Sequence, residues 1–172
     1  MTTDNIAMFQ KVSFEEYKKA RQKMFTVVGE YSDEELFEEW KNIKLPQRAT
    51  IGSAGYDFSM PMTIDLASGE HVLIPTGIRA KIAEGWVLML FPRSGLGTKF
   101  GFALDNTVGI IDSDYFHADN EGHIMAKVHV DNMLRLSEGE RFVQGVFIPF
   151  GIACNGNTTV ARHGGFGSTG TK

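Results

Sequence analysis

Short apolar runs separated by turn residues recur at intervals of about ten residues after residue 45, and they constrain the fold more than any other feature. Such runs are typical of β-sandwiches and barrels, and the lack of strand–helix alternation excludes a Rossmann fold. Within "IMAKVHV", alternate residues should share a face: Ile124, Ala126, Val128 and Val130 on one side, and Met125, Lys127 and His129 on the other. We therefore predict an all-β barrel or sandwich.

Two stretches before residue 45 have the pattern of helices instead. "SFEEYKKARQKMF" and "SDEELFEEW" each begin with a serine that precedes a glutamate by three positions, the signature of a capping box: Ser13 with Glu16, and Ser32 with Glu35. We expect a helical insertion, residues 13–43, that packs on the β domain, with a partner-binding arm as the alternative. The preceding "IAMFQKV" is expected to be a strand of the main body.

Composition narrows the possible compartments and partners. The 172 residues carry a net charge of −4 and no polybasic tail, which argues against a nucleic-acid partner. The single cysteine, Cys154, permits no intrachain disulfide, so we expect a reducing, cytoplasmic compartment. Neither a signal peptide nor a membrane-spanning run is evident. The length predicts a single domain over residues 1–172.

Two stretches near strand ends carry side chains suited to chemistry. "PRSGLG" follows an apolar run, and there the Arg93 guanidinium, the Ser94 hydroxyl and the Gly95 amide could hold phosphate oxygens. A solvated turn is the alternative for that stretch. In "NTVGIIDSDY", Asp112 follows a buried run and could hold a water as a general base, or else cap a turn.

Other polar and aromatic residues are candidates for ligand contacts. Asn106 could read the edge of a base, and Tyr115 could stack on a ring. Asp57, after the glycine turn of "SAGYDF", could bind hydrated magnesium or orient another side chain. In "GERFVQG", Arg141 and Gln144 lie three positions apart, so a regular strand would place them on opposite faces. We expect one ion pair and one ligand contact from these two side chains.

The end of the sequence, "RHGGFGSTGTK" at residues 162–172, is rich in glycine but is not a Walker A loop. The required Lys-Ser/Thr pair is missing, and no helix-forming run follows the glycines. Such a segment is often a disordered terminus. However, it carries a cation, an aromatic ring and hydroxyls on a backbone that can fold around a small ligand. These groups suit a ligand that is flat at one end and anionic at the other, which describes a nucleotide.

Five blocks, taken in order, resemble a known family. They are "AGYDF", "PRSGLG", "GIIDSDY", "GERFVQ" and "RHGGFGSTG". Together they resemble the trimeric deoxyuridine triphosphatase (dUTPase) family, which hydrolyses dUTP to dUMP and pyrophosphate, and the resemblance covers residues 44–172. It implies a jelly-roll-like β-barrel, a homotrimer with active sites at subunit boundaries, and Mg²⁺ as cofactor.

The resemblance also implies roles for individual residues. Asp112 would be the base that holds the attacking water, and Asp57 would act near the metal through water. The uracil edge would be read by Asn106 and by the backbone of Ile110, Ile111 and Asp112. Tyr115 would lie under the deoxyribose, and Met125 would line the nucleoside pocket. The phosphates would be held by Arg93, Ser94, Gly95 and Gln144. The residues that close over the nucleotide would be Arg162, Phe166, Gly167, Ser168 and Thr169.

Some features depart from the family pattern. The third block usually continues as Tyr-x-Gly, whereas "YFHADNEGHI" predicts a small hairpin insertion that turns at Asp119 and Asn120. Only His163 separates Arg162 from the glycine pair, where many relatives have two residues. The helical segment 13–43 also lies outside the usual pattern, and it is where a protein partner would bind.

Two alternatives to a dUTPase remain open. One is a deaminase of the same fold that acts on dCTP, a family that typically lacks the glycine-rich closing block. The other is a non-catalytic nucleotide-binding regulator, against which the retention of Asp112 and all five blocks argues.

Overall fold

The computed structural model describes residues 5–24 and 31–156 of the chain. In these ranges the strands are β1 (Ala7–Lys11), β2 (Gln47–Arg48), β3 (Tyr56–Ser59), β4 (Ile64–Leu66), β5 (His71–Pro75), β6 (Ile78–Ile82), β7 (Trp86–Pro92), β8 (Ala103–Leu104), β9 (Gly109–Ile111), β10 (Met125–His129), β11 (Leu134–Leu136) and β12 (Arg141–Pro149). The α-helices are α1 (Phe14–Gln22), α2 (Asp33–Asn42) and α3 (Ser94–Phe100), and a 3₁₀-helix, η1, spans Ser113–His117. None of these helices is long and apolar enough to cross a membrane.

The described strands form four antiparallel sheets and no closed barrel. The largest has the order β2-β3-β12-β7-β9, the next has the order β5-β10-β8, and two further pairs are β1-β6 and β4-β11. The predicted all-β, jelly-roll-like fold with an N-terminal helical insertion is confirmed. So is the predicted strand before the insertion, because β1 pairs along its whole length with β6.

Strand β10 shows why the alternation in the sequence predicts the fold. Its even-numbered residues Ala126 and Val128 are buried in the core, together with Ile124 and Val130 on either side. Lys127, from the odd-numbered set, is exposed, while Met125 and His129 are half-buried. The two faces are therefore the predicted ones, and burial of the even-numbered apolar side chains sets the register of the strand.

Helix α3 was not predicted, because its sequence "SGLGTKF" contains two glycines that disfavour a helix. Tertiary packing overrides this preference, since Leu96 and Phe100 pack against the core. The helix ends at Gly101, which adopts a left-handed conformation with φ of 63°. A Cβ at this glycine would lie 2.1 Å from the Asp131 carboxylate, so both the conformation and the space require glycine.

The helical insertion packs on the β domain, as expected. Tyr17 and Ile43 belong to the same hydrophobic core as the strands, and the Trp40 indole donates a hydrogen bond of 2.9 Å to the carbonyl of Val12. Gly77, between β5 and β6, allows this close approach, because a Cβ there would lie 2.3 Å from Cδ1 of Ile43. The insertion thus shares its apolar face with the main body.

A buried ion pair joins helices α1 and α2. Arg21 is fully buried, and its Nε lies 2.6 Å from a carboxylate oxygen of Glu39. The Tyr17 hydroxyl also donates a hydrogen bond to Glu39. Burial and the neighbouring Glu39 carboxylate raise the pKa of Tyr17, so the phenol stays protonated and acts as a donor.

The two predicted capping boxes have different outcomes. At α2 the box is complete, with reciprocal hydrogen bonds between Ser32 and Glu35. At α1 Ser13 is the N-cap, as predicted, and its hydroxyl accepts a hydrogen bond from the Glu16 amide, but the predicted reciprocal bond from the Ser13 amide to Glu16 does not form. The Ser13 amide donates instead to Glu121, 108 positions away, at 2.8 Å, and the Ser13 hydroxyl donates to the same carboxylate at 2.6 Å. A long-range carboxylate thus replaces the local one.

Glu121 belongs to the extended turn that follows η1. The chain turns through residues 118–122, as predicted for Asp119 and Asn120, with positive φ angles at Glu121 and Gly122. The fully buried His123 comes next, and its Nε2 accepts a hydrogen bond of 2.9 Å from the Gly77 amide. The extended turn and the helical insertion, both departures from the usual pattern, therefore contact each other.

The first prediction concerns the contact between Ser13 and Glu121. Partial burial acts to raise the pKa of Glu121, but hydrogen bonds from Ser13 and the nearby Arg79 outweigh it and lower the pKa. Because the folded-state pKa is lowered, the stabilisation is complete above the ordinary value of 4.5 and is lost as the pH falls through the folded-state value. We expect Glu121→Gln to lower the free energy of unfolding by about 1 kcal/mol at pH 7.

Urea denaturation at fixed protein concentration, repeated from pH 7 downward, measures this effect. The gap between variant and parent should close as the pH falls below 4.5. Glu84→Gln, in the exposed turn between β6 and β7, serves as the control and should show no such gap. A gap that stays constant over the whole range would contradict an ionic contribution.

Candidate active site

The carboxylate of Asp57, on strand β3 of the largest sheet, bridges two arginines. Its side chain is only 12% exposed, and its Oδ1 lies 3.3 Å from the Nε of Arg93. Its Oδ2 lies 2.9 Å from Nη1 of Arg141. Asp57 therefore orients two arginine side chains. Orienting another side chain was one of the two roles predicted for it, the other being to bind hydrated magnesium. Arg141 forms the expected ion pair.

A β-bulge in β12 brings Arg141 to this position. The register against β3 shifts between Arg141 and Val143, so that Arg141 pairs with Ser59 while Gln144 pairs with Asp57. Because Ser59 and Asp57 are two residues apart, their partners lie on the same face of the sheet. The prediction that Arg141 and Gln144 point to opposite faces is therefore wrong, since it assumed a regular strand.

The bulge also fixes the backbone of Arg93. Phe142, the extra residue of the bulge, accepts a hydrogen bond of 3.2 Å from the Arg93 amide. Arg93 comes directly after β7, as predicted, and Ser94 begins helix α3. In the first turn of a helix the backbone amides lack acceptors within the helix, so those of Ser94 and Gly95 point outward as donors.

A surface cleft of about 420 Å³ lies beside this ion-pair cluster. Its walls include four of the candidate residues: Asp57, Arg93, Ser94 and Gln144. Gly55 forms the wall under Gln144, since a Cβ at Gly55 would lie 2.8 Å from the Gln144 side-chain oxygen. The cleft therefore gathers guanidinium, hydroxyl and amide groups, which are the donors that an anion requires.

The remaining candidate residues lie on the segment from the β8–β9 turn to β10. Asn106 is exposed in that turn, and Ile110 is 49% exposed on β9. Strand β9 is the last of its sheet in the described part of the chain and pairs there only with β7, which covers one of its two edges. Ile111 is buried, and Asp112 occupies the half-buried N-cap position of η1.

Tyr115 and Met125 lie deeper in this segment. The Tyr115 ring is 4% exposed, and its hydroxyl donates a hydrogen bond of 2.8 Å to the carbonyl of His123. The same hydroxyl accepts a hydrogen bond of 2.8 Å from the Asn120 amide, which holds the extended turn onto the ring. Met125 is half-buried at the start of β10 and pairs with Pro75.

Asp112 and Arg93 lie at opposite ends of β7. Ile111 pairs with Leu88, so Asp112 lies level with Val87, near the start of that strand. Arg93 follows the other end of β7, six residues beyond Val87. At about 3.3 Å per residue, the two candidates are about 20 Å apart within one chain. One chain therefore does not bring the candidate base to the cleft.

The candidate closing residues, Arg162, Phe166, Gly167, Ser168 and Thr169, lie outside the described residues. Among the residues described, sequence reasoning missed Gly55 as the support of Gln144 and did not identify Asp57 as the partner of Arg141. The bulge that explains the second case leaves one signal in the sequence. Phe142 and Val143 are consecutive apolar residues, which breaks the alternation of a strand with one solvent-facing side, and the structure buries both of them fully.

Comparisons with known proteins identify the family. A family model described as dUTPase matches residues 41–170, which leaves most of the helical insertion before the match. The deoxyuridine 5'-triphosphate nucleotidohydrolase of Lactococcus lactis is 43% identical over 143 residues, covering 79% of this chain and 95% of that protein. The enzyme of the same name from Shewanella baltica is 41% identical over 138 residues, covering 74% and 88%. The chain belongs to the dUTPase family and is an enzyme, a hydrolase.

Solved structures agree with this fold. The dUTPase from Streptococcus mutans superposes with a TM-score of 0.62 at 36% identity, covering 84% of this chain and 97% of that one. The dUTPase from phage phi11 of S. aureus gives a TM-score of 0.60 at 19% identity, covering 95% and 99%, a likeness of fold alone.

The second prediction concerns the Asp57 ion pairs. We expect Asp57→Asn to lower the free energy of unfolding by about 1 to 2 kcal/mol, because it leaves two neighbouring guanidinium groups without their carboxylate. Asp65→Asn is the matched control, since Asp65 pairs with Arg135 at 2.7 Å but both side chains are more than 60% exposed. Its cost should stay below about 1 kcal/mol. Equal losses in the two variants, measured by chemical denaturation, would contradict a special role for Asp57.

Proposed function

We propose that this protein hydrolyses dUTP to dUMP and pyrophosphate, with Mg²⁺, at active sites completed between the copies of a homotrimer. The observation that carries the proposal is the cleft in which Arg93, Ser94 and Gln144 converge, on a chain of the dUTPase family. Such an activity limits the uracil available for DNA synthesis and supplies dUMP.

The cleft suits the phosphate end of the substrate. A triphosphate is strongly anionic, so its binding and reaction require cationic and neutral donors that offset charge. Arg93 contributes a forked cation held in place by Asp57, while Ser94 and Gln144 contribute neutral donors. The Gly95 amide adds a further donor. These groups would hold the triphosphate while its α-phosphorus is attacked.

The carboxylate at this cleft fits a magnesium ion that keeps its water shell. Mg²⁺ usually retains several waters and binds through substrate phosphates. Both oxygens of Asp57 already contact arginines, so this residue would reach the ion through water rather than directly. When bound with the substrate, the ion would neutralise charge on the phosphate oxygens.

Asp112 is the proposed general base. It would take a proton from a water molecule whose oxygen attacks the α-phosphorus in line. The new P–O bond gives dUMP, and the bond from the α-phosphorus to the bridging oxygen breaks, so that pyrophosphate leaves with that oxygen. The half-buried position of Asp112 at the end of β9 holds the carboxylate on a rigid element.

The length of β7 supports a shared site. About 20 Å separates Asp112 from Arg93 in one chain, which exceeds the distance between the base and the phosphate ligands of one small substrate. Asp112 of one copy would therefore act with the phosphate cleft of another. This separation supports an active site at a subunit boundary.

Base recognition is assigned to the segment around β9. The Asn106 amide and the backbone of Ile110, Ile111 and Asp112 would read the donors and acceptors of uracil, because the edge of β9 away from β7 pairs with no described strand and offers main-chain groups. The buried ring of Tyr115 would lie under the deoxyribose and crowd out a 2'-hydroxyl, and Met125 would line the same pocket.

The glycine-rich end of the sequence is proposed to close over the bound nucleotide. Phe166 would stack on uracil, and Arg162 would meet the phosphates together with Gly167, Ser168 and Thr169. Closure of this kind excludes water and orients the substrate for attack.

A substrate panel tests the proposed activity. The full chain is incubated with Mg²⁺ and, separately, dUTP, dCTP, dTTP or UTP, while release of pyrophosphate and of ammonia is followed. Pyrophosphate from dUTP alone is the expected result. Ammonia from dCTP would instead identify a deaminase, and tight binding of dUTP without turnover would identify a regulator.

The third prediction tests the base. Asp112→Asn should lower kcat by about 100- to 10,000-fold, because the amide cannot accept the proton, while dUTP binding measured by calorimetry persists. Asp114→Asn, an exposed carboxylate two positions later, is the control and should retain activity close to that of the parent. Parent-like turnover by Asp112→Asn would remove this residue from the mechanism.

The fourth prediction tests the closing segment. Deletion of residues 162–172 should abolish most turnover of dUTP but leave the oligomeric state unchanged, since the deleted residues would contact substrate rather than hold subunits together. Steady-state kinetics and light scattering on the same preparation measure the two properties. Full activity in the truncated chain would refute the closing role, and loss of the oligomer would show that the segment holds subunits together.

A further inference from the structure

Two histidines and an aspartate converge on the sheet formed by β5, β10 and β8, away from the ion-pair cleft. His71 begins β5 and His129 ends β10, and the two residues are direct cross-strand partners. Asp105 comes directly after β8. In that strand Ala103 pairs with His129, on the edge of β10 opposite to β5. Two adjacent strands and the residue that follows a third strand therefore each contribute one side chain.

The ligand atoms of these residues lie close together. Oδ1 of Asp105 lies 3.0 Å from Nδ1 of His71 and 2.8 Å from Nδ1 of His129. The two imidazole rings lie 5.0 Å apart between centroids, and one potential ligand atom from each of the three residues falls within 4.8 Å of the others. Tetrahedral zinc at about 2.0–2.1 Å from its ligands needs them about 3.3 Å apart, so small side-chain rotations suffice.

The backbone beneath the cluster is well fixed. The Asp105 amide donates a hydrogen bond of 2.9 Å to the carbonyl of Lys127, and ladder pairing holds both histidines. The side chains still face solvent, with His71 57% and His129 32% exposed, so an ion has direct access. A rigid base with accessible ligands is what a metal site on a sheet requires.

We propose that His71, Asp105 and His129 bind a divalent transition-metal ion of the zinc type, with water completing the coordination. Imidazole nitrogen suits zinc, copper, iron and nickel, whereas magnesium prefers oxygen ligands only. The ligands of this site therefore differ from the oxygen ligands that the magnesium ion proposed at the nucleotide would use. Because it uses none of the residues assigned to catalysis, it does not depend on the proposed function.

Among the residues that the structure describes, Lys127 is the cation that competes for this site. Its Nζ lies 3.4 Å from Oδ2 of Asp105, so the ammonium must move aside when a metal ion binds the carboxylate. The Lys127 side chain is 57% exposed and can turn toward solvent. Removing it should strengthen metal binding, which distinguishes a built site from adventitious binding by a surface histidine.

The test uses the full chain carrying Cys154→Ser, because Cys154 is an exposed thiol that would itself bind soft metals. Zn²⁺ is titrated calorimetrically without nucleotide or magnesium, and Co²⁺ is added in parallel to follow visible absorption. We expect one ion per chain and the intense absorption of tetrahedral Co²⁺. Absence of binding, or only the weak spectrum of hydrated Co²⁺, would overturn the proposal.

Single variants then locate the ion. Loss of a supporting group beside a metal typically costs about 10- to 100-fold in affinity, so His71→Ala and His129→Ala should each weaken Zn²⁺ binding by at least about 100-fold. Asp105→Asn, which preserves shape, should also weaken it, and Lys127→Ala should strengthen it. His117→Ala, an exposed histidine of η1 outside the cluster, is the matched control.

Circular dichroism and thermal unfolding of each variant confirm that it is folded before metal is added. Equal affinity in the His71, His129 and His117 variants would place the ion elsewhere and refute the site. Activity on dUTP is measured separately, so failure of the metal site and failure of the proposed function are distinguishable.

Discussion

The arrangement of the candidate cleft depends on one carboxylate between two cations. Asp57 lies in β3, an interior strand of the largest sheet, and its two oxygens contact Arg93, which follows β7, and Arg141 of β12. An arginine at a strand end would otherwise sample many rotamers, and ordering it would cost conformational entropy when an anion binds. The bulge at Phe142 makes the arrangement possible, since it turns Arg141 toward Asp57 and anchors the backbone of Arg93. Because Asp57 already orders the Arg93 side chain in the folded protein, less conformational entropy is lost when an anion binds.

The helical insertion depends on a different long-range carboxylate. Glu121 caps the first helix through Ser13, although the local Glu16 stands at the expected position. The Glu16 carboxylate instead lies 3.4 Å from Nδ1 of the buried His123. This exchange of partners joins the insertion to the segment that carries Asp112 and Tyr115. A change in the insertion therefore has a direct structural route to the proposed nucleoside pocket.

The sequence was most informative where one physical rule acted alone. Strand β10 followed simple alternation, and burial of its even-numbered residues was predictable. The pairing of Arg141 was not predictable, because the single extra residue of the bulge in β12 reverses which side chains share a face. The reciprocal bond of the α1 capping box was mispredicted for a related reason, since local spacing identifies a suitable carboxylate but not a distant competitor such as Glu121. The convergence of His71 and His129 was invisible because 58 positions separate them, and only the strand register brings them together.

Strand β7 works as a spacer in the proposed trimer, and this has a consequence for mixed assemblies. With the base at one end of the strand and the phosphate cleft at the other, each copy would contribute its Asp112 to one site and its cleft to another. A copy with a damaged Asp112 would disable a site whose cleft belongs to an intact neighbour. Because each copy supplies one Asp112 and one cleft, the share of disabled sites would equal the share of faulty chains. A chain damaged only at Asp112 and a chain damaged only at Arg93 would, however, form some intact sites when they assemble together.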